Sequence, residues 1–284
     1  MGSSRDSSAR RRGRVLVATL AGWLAGCTYY VPYTHRPQTI LVPEDEELEL
    51  GVGIYGDVLA VSTVSVNEPQ LALVREVGER LAAVSERPQL AWEFTLVEAD
   101  EAEAVALPGG KVLVYSGMLP VAEDTAGLAA VLGHEIAHVL ARHGAERMTQ
   151  RMFADAFVSA LAGPFGIAYA LPAALGFSLT SELGYVLPFS REHEREADRI
   201  GLMLMAKAGY DPQQAIAFWA RFQGTQNLPE LIASHPNPES RLADLQTWLP
   251  EAEGYFAAAE AAPVRELDRS SRRDLRAQRA AAGR

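Results

Sequence analysis

His134-Glu135-Ile136-Ala137-His138 sets two imidazoles four residues apart, with a carboxylate beside the first. On a helix, residues four apart share a face, so both imidazoles can aim a nitrogen at one point. Glu135 lies about 100° round the helix from His134, close to that point and able to take a proton. These residue types suit a zinc ion and a general base. The surrounding run, 128–143, favours the helix that this requires. Asp124 or Thr125 can cap it, and Leu128, Val131, Leu132, Ile136, Val139 and Leu140 supply an apolar side. Two core histidines on an amphipathic helix would give the same pattern, and a third ligand downstream separates the two readings.

The segment 190–201 supplies a candidate. It reads as a second helix ending near Gly209, and on it Glu194 and Asp198 are four apart on one face. Glu194 can be the third zinc ligand. Asp198 can accept the N–H of a ligating histidine, which fixes that ring's tautomer. A solvated charged face is the alternative, because Arg191, Glu192, Arg195 and Glu196 crowd the same helix. The HEIAH segment upstream tips the balance towards zinc.

At this point the chain resembles a family, the M48 metallopeptidases. The matching pieces are LPGGKVLVYSGML (107–119), the HEIAH helix, EREAD (194–198) and SHPNPESR (234–241). Weaker similarity begins at EDEELELGVGIY (44–55), so the resemblance spans about residues 40 to 250. The pattern is most similar to the periplasmic, lipid-anchored members and to the mitochondrial branch. One departure concerns the substrate cleft: the family often has Asn-Ala-aromatic ahead of the LPGG, where this chain has Glu103-Ala104-Val105.

The resemblance implies an α+β, zincin-like (gluzincin) domain, mostly helical, with a small sheet beside the active-site helix. It implies an endopeptidase holding one Zn2+ per chain on His134, His138 and Glu194, with Glu135 as general base. His235 and Arg241 match positions at the family's active site. His235 is then expected to hydrogen-bond an oxyanion or to bind zinc in the resting enzyme, and otherwise it is a loop histidine before a proline. Arg241 supports the ligands. The lipid-anchored members imply unfolded or misassembled envelope proteins as substrates. A chaperone-like outer-membrane assembly factor with little or gated proteolysis is the rival reading.

Composition agrees with one sizeable domain. The 284 residues are 48% hydrophobic and 22% charged, ordinary values for a globular chain. The single cysteine, Cys27, excludes an internal disulfide and a cysteine zinc site. Of the six histidines, His143 falls five after His138, about 140° away on a continuous helix, and is expected to be structural or exposed. His193 is expected to point off the Glu194 face, and His35 to be solvated in a proline-rich stretch.

Five arginines in residues 1–14 precede a short apolar core, Val15 to Ala25, and then Leu24-Ala25-Gly26-Cys27. This is the layout of a secretory signal peptide. The apolar core is too short to span a bilayer, which needs about 20 residues. Small residues before a cysteine resemble the bacterial lipobox, which implies cleavage at 1–26 and lipidation of Cys27. Thr28 rather than Asp after the cysteine suggests the periplasmic face of the outer membrane by resemblance to bacterial sorting rules. Removing the leader takes five basic residues and one acidic residue from a chain of net charge −10. The mature surface is therefore more acidic still and offers nucleic acid no basic groove.

Residues 27–43 are expected to be a lipidated tether, 44–255 the peptidase domain and 256–284 a flexible charged tail. Asn67 to Ser85 has helical periodicity, and 91–98 and 111–115 read as strands. A strand Lys111, Val112, Leu113, Val114, Tyr115 beside the metal helix is expected to bind extended substrate by main-chain hydrogen bonds, or else to be an ordinary sheet edge. Ala156 to Ser181 carries no charge. Its glycines and prolines, and the need to keep His134 and Glu194 on one side, argue against a membrane span. Buried helices are one expectation for it, and a mobile apolar flap over the cleft or a surface resting on lipid or on unfolded client is the other.

Overall fold

The structure is a computed structural model that describes residues 28–156, 191–222, 235 and 238–261. Cys27 and the leader, the uncharged run after Ala156 and the chain beyond Ala261 lie outside the described residues. In chain order the elements are β1 (Thr28–Tyr30), β2 (Pro37–Thr39), α1 (Glu44–Val61), α2 (Glu68–Val84), β3 (Glu93–Val97), β4 (Ala104–Leu107) and β5 (Lys111–Tyr115). There follow α3 (Met118–Ala122), α4 (Thr125–Leu140), α5 (143–156), α6 (Arg191–Lys207), α7 (Gln213–Ala220) and α8 (Pro238–Ala261). This is the expected mostly helical α+β, zincin-like domain. No helix among the described residues is long and apolar enough to cross a membrane.

Helix α4 is the centre. Asp124 caps it by accepting from the N–H groups of Ala126 and Gly127, and every residue from Gly127 to Leu140 is buried. A helix buried all round must find partners on every side. Helix α2 covers one side with Leu71, Val74, Val77 and Leu81, a three-four spacing set in register by the Asn67 cap. The sheet covers another, and α6 a third.

The α4–α6 contact is unusually close. Gly133 and Gly201 meet at the crossing, where a Cβ on Gly201 would lie 2.8 Å from the Gly133 carbonyl carbon and 2.8 Å from the His134 nitrogen. Two glycines let the backbones touch, and the close approach brings the Glu194–Asp198 face of α6 against the His134–His138 face of α4. Helix α6 then stops in a Schellman turn. Tyr210 N–H donates to Met205 O at 2.9 Å and Gly209 N–H to Ala206 O at 3.0 Å, with Gly209 at φ 77°.

The sheet has the order β3-β5-β4, with β3 and β5 parallel and β4 and β5 antiparallel. This corrects the expectation for Lys111–Tyr115. That strand is central, paired on both sides from Lys111 to Tyr115 with β3 and from Lys111 to Val114 with β4. Its main-chain groups are committed to neighbours, so it cannot take up a peptide. Of the two edge strands, β4 is the one that lies beside α4.

The expected tether at 27–43 is also corrected. Strands β1 and β2 form an antiparallel hairpin, pairing Thr28 with Thr39 and Tyr30 with Pro37. Val31 and Ile40 are buried, and Gln38 donates to Ala141 O at 2.8 Å. Pro32 and Pro37 sit in a hairpin rather than a loose leader, because its apolar residues and Arg36 find sockets on the domain. At the other end α8 carries the folded body to Ala261, past the expected boundary at 255.

Candidate metal centre

Helix α4 delivers His134 and His138, α6 delivers Glu194, and the segment before α8 delivers His235. All four are buried, and one ligand atom from each lies within 4.8 Å of the others. The spacing inside the group is tighter. His134 Nε2 is 3.2 Å from His138 Nε2, 3.3 Å from His235 Nδ1 and 3.4 Å from Glu194 Oε2. Glu194 Oε1 lies 3.6 Å from His138 Nε2 and 3.0 Å from His235 Nδ1. Nitrogen and oxygen ligands about 2.0–2.2 Å from a tetrahedral zinc would lie about 3.3–3.6 Å from one another. The donor set and its spacing therefore fit zinc.

The outward nitrogens are held as ligation requires. His134 Nδ1–H donates to Asp198 Oδ1 at 2.9 Å, which leaves Nε2 its lone pair. Arg241 Nε donates to Asp198 Oδ2 at 2.7 Å, and its terminal nitrogen to Glu194 Oε2 at 3.1 Å and to the His235 carbonyl at 3.5 Å. One guanidinium thus ties together Glu194, the carboxylate that supports His134 and the His235 backbone. It lies flat over Trp219, 3.9 Å from the ring centroid.

The imidazoles and carboxylates of this cage shift one another strongly. Burial pulls the His134 pKa down, but its hydrogen bonds to Asp198 and Glu194 outweigh burial and push it up to about 9. Burial is the largest effect on His138 too, and with positive charge on His134 beside it the pKa falls well below the usual range. Burial raises Glu194, but hydrogen bonds from His134 and His235 win and hold it well below the usual carboxylate range.

Glu135 is the one buried carboxylate of the cluster with unused capacity. Its Oε2 accepts a long hydrogen bond, 3.4 Å, from the Ala106 N–H on β4. Its Oε1 is buried with no hydrogen-bond partner among the described residues and sits 3.6 Å from His235 Nε2. Burial drives its pKa up, with opposing attraction from His235 and His134. A carboxylate raised in this way accepts a proton more readily than an exposed one.

The structure therefore gathers His134, Glu135, His138, Glu194, Asp198, His235 and Arg241 at one point, and leaves Lys111 to Tyr115 one strand removed. Ala106 was not visible as a site residue. Only the strand order shows that its N–H faces outward, at Glu135. His143 was expected to be structural or exposed on a continuous helix. Instead α4 ends at Leu140, Arg142 takes a left-handed φ of 54°, and His143 turns back, fully buried, with Nδ1 2.9 Å from His138 Nδ1. A left-handed non-glycine residue costs about 1–2 kcal/mol, and the buried ion pair of Arg142 with Glu47, 2.7 Å, secures it. The left-handed residue is Arg142 itself, two positions before Gly144. His193, expected to point off the Glu194 face, is buried and stacked on His143, with ring centroids 4.4 Å apart. His35 is exposed, as expected.

A zincin-like domain with an HExxH helix and a downstream glutamate ligand is a zinc metallopeptidase. Residues 69–249 match the model of peptidase family M48, and the chain belongs to that family. Its relatives include the mitochondrial metalloendopeptidase OMA1 of Schizosaccharomyces pombe, 35% identical over 231 residues that cover 79% of this chain and 67% of that one. The Saccharomyces cerevisiae protein of the same name is 29% identical over 272 residues, 85% of this chain and 76% of its own. The beta-barrel assembly-enhancing protease of Escherichia coli K12 is 33% identical over 210 residues, 70% of this chain. The match spans less than half of that relative, 43%.

Proposed function

We propose that this M48 peptidase is an endopeptidase of the bacterial cell envelope that cleaves unfolded or misassembled proteins, tethered by lipid on Cys27 to the periplasmic face of the outer membrane. The observation that carries the enzymatic part is Glu135. Its unpartnered oxygen lies beside the four-ligand cage, and its other oxygen meets the outward N–H of the β4 edge. An extended peptide adding to β4 would bring its carbonyl to that point, and edge addition reads main chain more than side chains. Such recognition suits unfolded chains. The arginine-rich leader with Leu24-Ala25-Gly26-Cys27 supports export and lipidation.

Zinc bound by His134, His138 and Glu194 supplies Lewis-acid chemistry, acidifying a water towards a pKa of about 7 and polarising a carbonyl. Glu135 takes the proton of the attacking water and returns it to the leaving amine. Asp198 and Arg241 hold the ligands in place. His235, a donor beside Glu135, is placed to hydrogen-bond the developing oxyanion.

His235 also favours the second reading, an assembly factor with gated proteolysis. Its Nδ1 stands within the ligand group, where it would compete with water for a coordination position on a bound ion. The test is cleavage of casein by the full chain, before and after chelation and after zinc is restored. Chelator-sensitive, zinc-restored cleavage supports the protease. Zinc loading without cleavage, alongside binding of unfolded protein, favours the gated factor. For the anchor, Cys27→Ser should abolish lipidation and change the mass. Unchanged mass and unchanged membrane fractionation would defeat it.

A further inference from the structure

The two zinc-ligating histidines are supported differently. His134 rests on a carboxylate, but His138 rests on another histidine, and behind that histidine lies a buried ion cluster that reaches the N-terminal hairpin. His143 Nε2 is 3.2 Å from Glu196 Oε2. Arg36, on the turn between β1 and β2, donates to both Glu196 oxygens, Nε at 3.0 Å to each and a terminal nitrogen at 2.9 Å to one. The same guanidinium donates to Glu146 at 2.8 and 2.6 Å. Thr34 adds a third donor to Glu196 at 2.7 Å. We propose that Arg36 is a positioning residue for the zinc ligand His138, acting through Glu196 and His143.

Proton placement gives Arg36 this role, which rests on the zinc reading above. If His138 binds metal through Nε2, its proton sits on Nδ1 and needs an acceptor. The atom there is His143 Nδ1, so a neutral His143 must carry its own proton on Nε2. That proton points at Glu196 Oε2, which holds this tautomer only while the carboxylate is correctly aimed. Arg36 fixes that aim. Its Nε and one terminal nitrogen grip Glu196, and both terminal nitrogens hold Glu146, which is also 2.9 Å from His193 Nε2. His193 in turn stacks on His143 with ring centroids 4.4 Å apart and an interplanar angle of 20°. Arg36 therefore orients both the acceptor behind His143 and the ring lying on it. The arrangement parallels His134–Asp198–Arg241, with one imidazole added to the chain.

The test uses full-length protein with nitrogen-15-labelled histidine. Zinc-loaded wild type should show His138 protonated on Nδ1 and His143 on Nε2. The opposite tautomer at His143 overturns the proposal. Arg36→Met should lower zinc affinity about 10- to 100-fold, the usual cost of losing such support, and should mix the His143 tautomers, with Arg36→Lys restoring part of both. Unchanged affinity and tautomer in a folded Arg36→Met overturns it. Where Arg36→Met does not fold, the pair His143→Gln and His143→Leu decides. Gln keeps an acceptor for the His138 proton and should bind zinc more tightly than Leu, and equal affinities overturn the proposal. A wild type that takes up no zinc overturns the metal reading itself and the relay with it, whereas a wild type that loads zinc with the wrong tautomer overturns the relay alone.

Discussion

Gly133 and Gly201 touch backbone to backbone, and this contact sets the distance between the helix carrying two zinc ligands and the helix carrying the third. A Cβ on Gly201 would meet Gly133 carbon and His134 nitrogen, both at 2.8 Å and neither able to move aside. Gly201→Ala should therefore push α6 away from α4. Overpacking of this kind costs about 1–3 kcal/mol, and for a chain of this size that is a fall in Tm of about 2–12 °C. Zinc per chain should drop as well, because Glu194 moves with the helix. A variant with wild-type Tm and wild-type zinc would show that the crossing tolerates a methyl group.

The Arg36 cluster should mark the acid limb of stability. Burial raises Glu146 and Glu196, but their hydrogen bonds from Arg36, His193, His143 and Thr34 prevail and bring both down from the usual 4.5 to about 2. Groups depressed in the folded state contribute stability above their unfolded pKa and lose it as pH falls through the folded one. The contribution is thus complete above pH 4.5 and fades towards about 2. Arg36→Met leaves burial less opposed, so acid unfolding should begin at a higher pH. Melting curves of chelated wild type and variant between pH 2 and 7 read the difference without metal loss. Parallel profiles would mean that Arg36 does not set these carboxylates.

The order β3-β5-β4 predicts where substrate lies. A photo-crosslinker at Val105 should capture an unfolded client, and one at Val114, in the paired central strand, should not. Capture from Val114 but not from Val105 would contradict substrate addition at the β4 edge.

The chemistry of this site was legible because a helix converts sequence spacing into geometry. His134 and His138, then Glu194 and Asp198, are each four apart, and each pair shares a face in the structure. The Asp124 cap, the Asn67–Ser85 helix and the stop at Gly209 follow the same local rules. Strand order was not legible, because Lys111–Tyr115 has the same composition whether central or at an edge. Neither was the turn at Arg142. The left-handed arginine is held by Glu47, 95 positions earlier, and Gly144 alone does not reveal it. His143 proved structural, as one of the two expectations had it, but on a face the continuous-helix geometry did not show. The hairpin at 28–40 was hidden for a similar reason. Prolines and threonines suggest a linker, and only the distant partners Glu146 and Glu196 show why Arg36 is there.

The central claim is that Glu135 takes the proton in a zinc-dependent hydrolysis, and Glu135→Gln tests it most directly. Gln keeps the volume and an acceptor oxygen for the Ala106 N–H, but not the basicity. With casein as substrate, cleavage by Glu135→Gln should fall about 10²–10⁴-fold, while zinc stays at about one per chain and Tm stays at the wild-type value. Wild-type cleavage by a folded, zinc-loaded Glu135→Gln chain would contradict the account.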